Sequence, residues 1–331
     1  MAMVVDSHEH ETRNTVVPAA PYAARPPSPP SILIPAPNVK ASQAIVCVPR
    51  FSNVDPLTLS APDLEIITQS KPQKAYDSVG DWTWEDRRKA HEILDFLWLG
   101  PSTVARDQGF LKENGFSMIL AARDARLAEA RLLGVDRAIK ELELSAATID
   151  VQDLQDLIHR LDDAVALINK HMLEFYHNQI LLQKDSPNGQ DKTVIDKSKF
   201  RRGKVLVFCE TGNDRSAILV VAYLMAVYGM DMIQACQFVN YRRFCVSLDE
   251  PSKQMLQTYE GLLVARKTVN KHTLQNSHNI SLGTSRITKR GIMDTMDDDD
   301  DDDIMQEAAD FELDRDRYTD RRPFVPFVDQ N

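Results

Sequence analysis

Long apolar runs are missing from this chain. The longest, Ala217 to Met230, is fourteen residues, too short to span a bilayer and suited to a buried helix. Cysteine is scarce: Cys47, Cys209, Cys236 and Cys245 are the 4 in 331 residues, and no two lie at a close paired spacing. Without a C-x-x-C pair or a His/Cys cluster, no zinc site or other metal is expected. No apolar stretch follows basic residues at the N-terminus, so no signal peptide is expected. These absences predict a reduced intracellular protein, cytoplasmic or nuclear, with mostly buried thiols. An excess of positive charge is also missing. The net charge of −10 and pI near 5.3 argue against broad nucleic-acid binding, which needs a basic footprint. No internal repeat is visible.

The chain is 43% hydrophobic and 27% charged, as expected for one soluble domain with flexible flanks. Residues 1–40 carry "VVPAAPYAARPPSPPSILIPAP", a proline density that favours extended, solvated chain. Residues 41–76 are more apolar and read as an extension packed on the main domain. That domain is expected over residues 77–269, interrupted by a polar surface insertion at 183–202. Residues 270–331, with the aspartate run Asp297 to Asp303, read as a disordered acidic tail.

Strand and helix patterns alternate in the main domain. "WEDRRKAHEIL" has helical character, and "ILDFLWLG", "FSMILAAR" and "IKELELS" read as strands. Ser102 is placed to cap a helix ending near Asn114-Gly115. Leu154, Leu157, Ile158, Leu161, Val165, Ile168, Met172 and Phe175 form one apolar stripe of a long helix. His159 and His171 fall off that stripe and read as surface histidines. The whole predicts an α/β fold: a mostly parallel sheet flanked by helices, with disordered termini.

One stretch carries chemistry. "GKVLVFCETGNDRSAILVV" is a buried strand, a short loop and a buried helix, with Cys209 where the strand ends and Arg215-Ser216 where the helix begins. Backbone N–H groups of Glu210, Thr211, Gly212, Asn213, Asp214 and Arg215 can converge there as an anion-binding nest. Gly212 permits the torsions such a loop needs. The Arg215 guanidinium can fork onto two oxygens of a phosphate. The same positive field favours the Cys209 thiolate, placed for in-line attack on a phosphate monoester. Ser216 can hydrogen-bond the sulfur. No cofactor is needed.

"CETGNDRS" resembles the Cys-x-x-Gly-x-x-Arg-Ser/Thr loop of the cysteine-dependent tyrosine and dual-specificity phosphatases. "DWTWEDRRKAHEILDFLWLGPS", "DRSAILVVAYLMAVYGM", "RRFC" and "LQTYEGLLVAR" are similar to the phospho-serine/threonine/tyrosine-interacting proteins, the STYX-like pseudophosphatases. This resemblance covers residues 78–268 and implies a cysteine-based phosphatase fold. It also implies partners in phospho-signalling: phosphoproteins, kinases or ubiquitin-ligase adaptors.

The departures bear on catalysis. STYX-like proteins typically lack the loop cysteine, whereas Cys209 is present. Active relatives usually carry histidine before it, where this chain has Phe208. Glu210 and Asp214 put two carboxylates beside a site for a dianion; a like charge about 6 Å away costs roughly 2–3 kcal/mol at an effective dielectric near 20. Relatives place a general-acid aspartate just after the strand read here as "KELELS", where Ala146 and Ala147 fall. Asp150 is the nearby carboxylate, and it competes with a role as cap of the long helix. The family's Pro-Asn after "RRFC" is Leu248-Asp249. The leading expectation is therefore a catalytically impaired, phosphoprotein-binding signalling protein. The alternative is an active phosphatase with Cys209 as nucleophile, Arg215 as clamp, Ser216 assisting and Asp150 as acid. A scaffold acting through its flanks is a third reading.

Overall fold

A computed structural model describes residues 30–35, 44–77, 80–129, 132–184 and 200–282. Most of the proline-rich head, the core of the 183–202 insertion and the aspartate run lie outside them.

The strands are β1 Ile45–Cys47, β2 Gln73–Ala75, β3 His91–Leu94, β4 Leu97–Pro101, β5 Met118–Asp124, β6 Ser145–Val151 and β7 Val205–Cys209. The helices are α1 Ala61–Thr68, α2 Gln108–Glu113, α3 Leu133–Leu142, α4 Leu154–Lys184, α5 Arg215–Tyr223, α6 Met232–Arg242 and α7 Glu250–Leu282. Five strands form the central sheet in the order β3-β4-β7-β5-β6. β4, β7, β5 and β6 are parallel, and β3 pairs antiparallel at the edge. The mixed sheet flanked by helices is the architecture the alternation of patterns predicts.

Period-two alternation decides which face each strand residue serves. Val205, Val207 and Cys209 join one core with Met118, Leu120 and Ala122, beneath α4 and α5. Leu206 and Phe208 join the opposite core with Ile119 and Ala121, beneath α2 and α3. β7 is buried on both faces, which is why it reads as a continuous apolar run. The predicted stripe of α4 supplies Leu157, Leu161, Ile168 and Met172 to the first core. Residues 44–75 also belong to it: β1 and β2 pair antiparallel, and Cys47, Val54, Leu64, Ile67 and Ala75 are buried there.

Several local expectations are corrected. "WEDRRKAHEIL" is a short 3-10 turn, Trp84–Arg88, followed by β3. "ILDFLWLG" is not one strand but the hairpin of β3 and β4. Asp107, not Ser102, caps α2 by accepting from Phe110 N–H at 3.0 Å. Ile139–Leu142 of "IKELELS" belong to α3, where Val135 and Ala138 are buried three residues apart and Ile139 and Leu142 pack beside them. The third strand starts at Ser145, where the expected one ends. His171 is buried, with Nε2 2.8 Å from Ser117 Oγ, because the start of β5 closes over that side of α4. His159 is exposed as expected. α7 runs past Val269 to Leu282.

Leu161 is fully buried and Leu181, on the same helix, is 56% exposed. Leu161→Ala is expected to cost about 2–5 kcal/mol, and Leu181→Ala less than about 0.5 kcal/mol. Chemical denaturation of the two variants checks the pair.

Candidate active site

β7 ends at Cys209 and α5 begins at Arg215, so the loop between them lies at the carboxyl end of the sheet, where α/β proteins bind ligands. Gly212 makes the tightest approach. Its φ is +76°, and a Cβ there would lie 2.5 Å from Gly100 C and 2.7 Å from Pro101 N on β4. Only glycine fits both the torsion and the contact.

Arg243, just past α6, holds this loop from behind. It is fully buried. Its Nε donates to Gly212 O at 3.1 Å and to Asn213 Oδ1 at 3.2 Å. Its Nη2 donates to Thr211 O at 3.3 Å and to Arg87 O at 2.9 Å. Its Nη1 donates to Lys89 O at 2.6 Å and to His91 Nδ1 at 2.7 Å. With the Thr211 and Gly212 carbonyls turned toward Arg243, the Gly212 N–H turns the other way and donates to Cys209 Sγ at 3.2 Å. A guanidinium only donates, so His91 Nδ1 must accept, and the ring is neutral. Burial first, then the charge of Arg243, lowers the His91 pKa to about 4.

The Cys209 sulfur is buried yet surrounded by donors. Ser216 Oγ donates to it at 3.0 Å. Burial alone pushes the thiol up. The Ser216 hydroxyl and the backbone N–H groups of Ser216, Asp214 and Gly212 outweigh burial and hold the pKa below the ordinary thiol value. Cys47 and Cys236 show what burial does without those donors: both are pushed up to about 12. All four cysteines are free thiols. Phe208 lies on the opposite sheet face, packed in the second core, so it neither contacts nor charges the sulfur's surroundings as a histidine would.

The structure brings Arg215 to the same rim, paired with a residue that sequence reasoning missed. Arg215 Nη2 lies 2.9 Å from Asp124 Oδ2 at the end of β5. Asp124 also takes the Arg126 side chain at 2.6 and 2.9 Å and its N–H at 3.0 Å. These hydrogen bonds from Arg126 hold the Asp124 carboxyl well below the usual carboxylate range. The signal for Asp124 was present: it directly follows the predicted strand "FSMILAAR", and parallel strands deliver their carboxyl ends to one edge.

Glu210 and Asp214 face outward. Both are exposed, and Asp214 Oδ2 accepts from the Thr211 hydroxyl at 2.9 Å. Asn213 N–H is likewise engaged by Thr211 Oγ1 at 3.1 Å. Asp150 does not cap α4. It lies within β6 opposite Arg123, whose Nε and Nη2 reach it at 2.8 and 3.1 Å. The cap is Asp153, which accepts from Asp156 N–H at 2.8 Å. Because the third strand is β6, the loop just after it carries Gln152 and Asp153. Ala146 and Ala147, where the resemblance set the acid, are strand residues of β6.

A cavity of about 850 Å³ lies elsewhere, between α4 and α7, and none of residues 209–216 lines it. Among the described residues, no group of three His, Cys, Asp or Glu side chains could hold a metal ion, and no helix is long and apolar enough to cross a membrane.

Residues 189–261 match the family "Dual specificity phosphatase, catalytic domain". The mouse and human serine/threonine/tyrosine-interacting proteins are each 28% identical over 233 residues, 69% of this chain and 91% of theirs. The Drosophila melanogaster protein phosphatase Slingshot is 41% identical over 83 residues, 25% of this chain and 8% of its own. The crystal structure of the human tyrosine phosphatase-like serine/threonine/tyrosine-interacting protein aligns with 54% of this chain and 99% of its own, at 23% identity and a TM-score of 0.37. The chain is thus similar to proteins of the dual-specificity phosphatase superfamily. Among these, the serine/threonine/tyrosine-interacting proteins are its homologues.

Removing Arg243 leaves the loop carbonyls buried without a donor. Arg243→Met is expected to destabilise the chain by about 3–5 kcal/mol, read by thermal unfolding. His91 adds a pH dependence. Its folded pKa, about 4, lies below the ordinary 6.5, so the unfolded chain binds the extra proton. Stability is expected to fall as pH drops from about 6.5 to about 4. His91→Asn, which keeps an acceptor but does not titrate there, should flatten that part of a stability-against-pH curve.

Proposed function

We propose that this chain is a cysteine-dependent phosphatase acting on phosphorylated residues of partner proteins. The observation that carries the reading is the Cys209 sulfur, a buried acceptor of hydrogen bonds from Ser216 Oγ and Gly212 N–H. Those donors stabilise a thiolate, the form that attacks phosphorus. The S–P bond forms as the bond from phosphorus to the leaving oxygen breaks, and that oxygen takes a proton from a protonated Asp153 carboxyl or, where no acid serves, from water. Water then attacks the phosphocysteine, and the thiolate leaves with the Ser216 hydrogen bond to receive it. Arg215 and the loop N–H groups hold the non-bridging oxygens.

A second reading is favoured by a separate observation. The carboxylates nearest the expected acid position are engaged as acceptors: Asp150 with Arg123, and Asp153 with the Asp156 N–H. An acid must donate. If neither carboxylate is released on binding, the protein holds a phospho-residue and turns it over slowly. The outward Glu210 and Asp214 support phosphate entry under both readings, and the relatives' description as interacting proteins supports a protein partner.

Leaving-group dependence separates the two. With no acid, activated aryl phosphates are hydrolysed while phosphothreonine peptides lag by about 10²–10⁴-fold more than in the presence of one. Cys209→Ser is expected to abolish release from every substrate. Release that persists in this variant would sink both readings of Cys209 as nucleophile. Asp153→Asn is expected to slow phosphothreonine release selectively if Asp153 is the acid, and to leave the leaving-group dependence unchanged if it is only a cap.

A further inference from the structure

The segments on either side of Arg243's hydrogen bonds carry aromatic side chains that stand in solvent. Trp84 is 62% exposed and Phe244 is 37% exposed. Trp82 bridges them, with ring centroids 6.4 Å from Trp84 and 5.4 Å from Phe244, both edge-on. Tryptophan is highly buried on average, so an indole left this open is a surface with a use. The Arg87 guanidinium lies over the Trp84 ring, 3.7 Å from its centroid, which steadies the ring and adds a positive charge. Nearby, Arg88 pairs with Glu85 and Lys89 with Asp86.

This cluster is fastened to the anion loop. One nitrogen of Arg243, Nη2, donates to both Arg87 O and Thr211 O. Phe244 is the next residue in the chain, and the Cys245 thiol donates to Asn213 Oδ1 at 3.3 Å. The backbone segments that carry Trp84 and Phe244 are therefore tied to the loop that carries Cys209 through one guanidinium and the Cys245 thiol.

We propose that Trp84, Trp82 and Phe244 form the second contact of the phospho-residue site, taking an aromatic or large apolar side chain close in sequence to the phosphorylated residue of the same peptide. The proposal rests on the phosphate-recognition reading of residues 209–216. The loop grips a phosphate whatever carries it, through charge and backbone N–H groups. The aromatic ledge supplies the selectivity that a phosphate cannot, by stacking and apolar burial. Arg87 on the indole face makes a lysine or arginine at that peptide position unfavourable.

The test uses the full chain carrying Cys209→Ser, so that binding is read without turnover. Phosphotyrosine peptides are compared that differ only in one flanking residue, tryptophan or lysine, at successive positions on either side. Tungstate binding is measured in parallel. At one position the tryptophan peptide is expected to bind about tenfold more tightly than the lysine peptide. Trp84→Ala should bring the two peptides together and leave tungstate affinity unchanged. Arg87→Ala should raise the affinity of the lysine peptide alone. Tungstate binding with no flank preference, or a preference untouched by both variants, would overturn the ledge and spare the phosphate site. Tungstate that fails to bind, or binds equally after Arg215→Met, would overturn the phosphate reading and the ledge with it.

Discussion

Everything at this site leans on one buried guanidinium. Arg243 has no carboxylate partner among its hydrogen bonds; it is satisfied by carbonyls of Arg87, Lys89, Thr211 and Gly212, by Asn213 and by a neutral His91. Burial lowers its pKa, yet donors in a fixed fork meet acceptors on every side. Such an arrangement contributes geometry more than stability. By drawing two loop carbonyls backward it leaves the Gly212 amide facing the sulfur. The segment before β3, the end of α6 and the loop after β7 are thereby one unit.

The effect on chemistry shows in the contrast among cysteines. Cys47, Cys209 and Cys236 are all buried, and burial pushes each thiol in the same direction. Only at Cys209 do several donors converge, and there the direction reverses. In this chain the Cys209 pKa is therefore lowered without a histidine before the cysteine. The loop acids, which looked like an obstacle in the sequence, point away. The negative charge that does reach the site is Asp124, which occupies the Arg215 guanidinium and ties it to Arg126.

Legibility followed the length scale of the interactions. β7, the loop and α5 were readable because a doubly buried strand, a glycine-containing turn and an apolar helix are local signals. The α4 stripe was readable because its period is sustained over many turns. "IKELEL" misled because four alternating residues fit a strand and a short helix equally, and its burial against α2 and Phe208 is not local. His171 looked peripheral until β5 closed over it. Arg243 stood in the sequence only as part of "RRFC", with nothing to say that its side chain points inward.

What the sequence by itself determined was the set of possible parts: a Cys-x5-Arg-Ser loop between a buried strand and a buried helix, on an α/β sheet. Composition and periodicity suffice for that, because each part is specified by neighbours within a few turns. What only the tertiary structure decided was the electrical state of those parts. The direction of the Cys209 pKa, the outward turn of Glu210 and Asp214, the pairing of Arg215 with Asp124 and the engagement of Asp150 by Arg123 all depend on strand order and on residues far apart in the chain. Hydrogen bonds and charges act through space over a few ångströms, and sequence separation does not measure that distance.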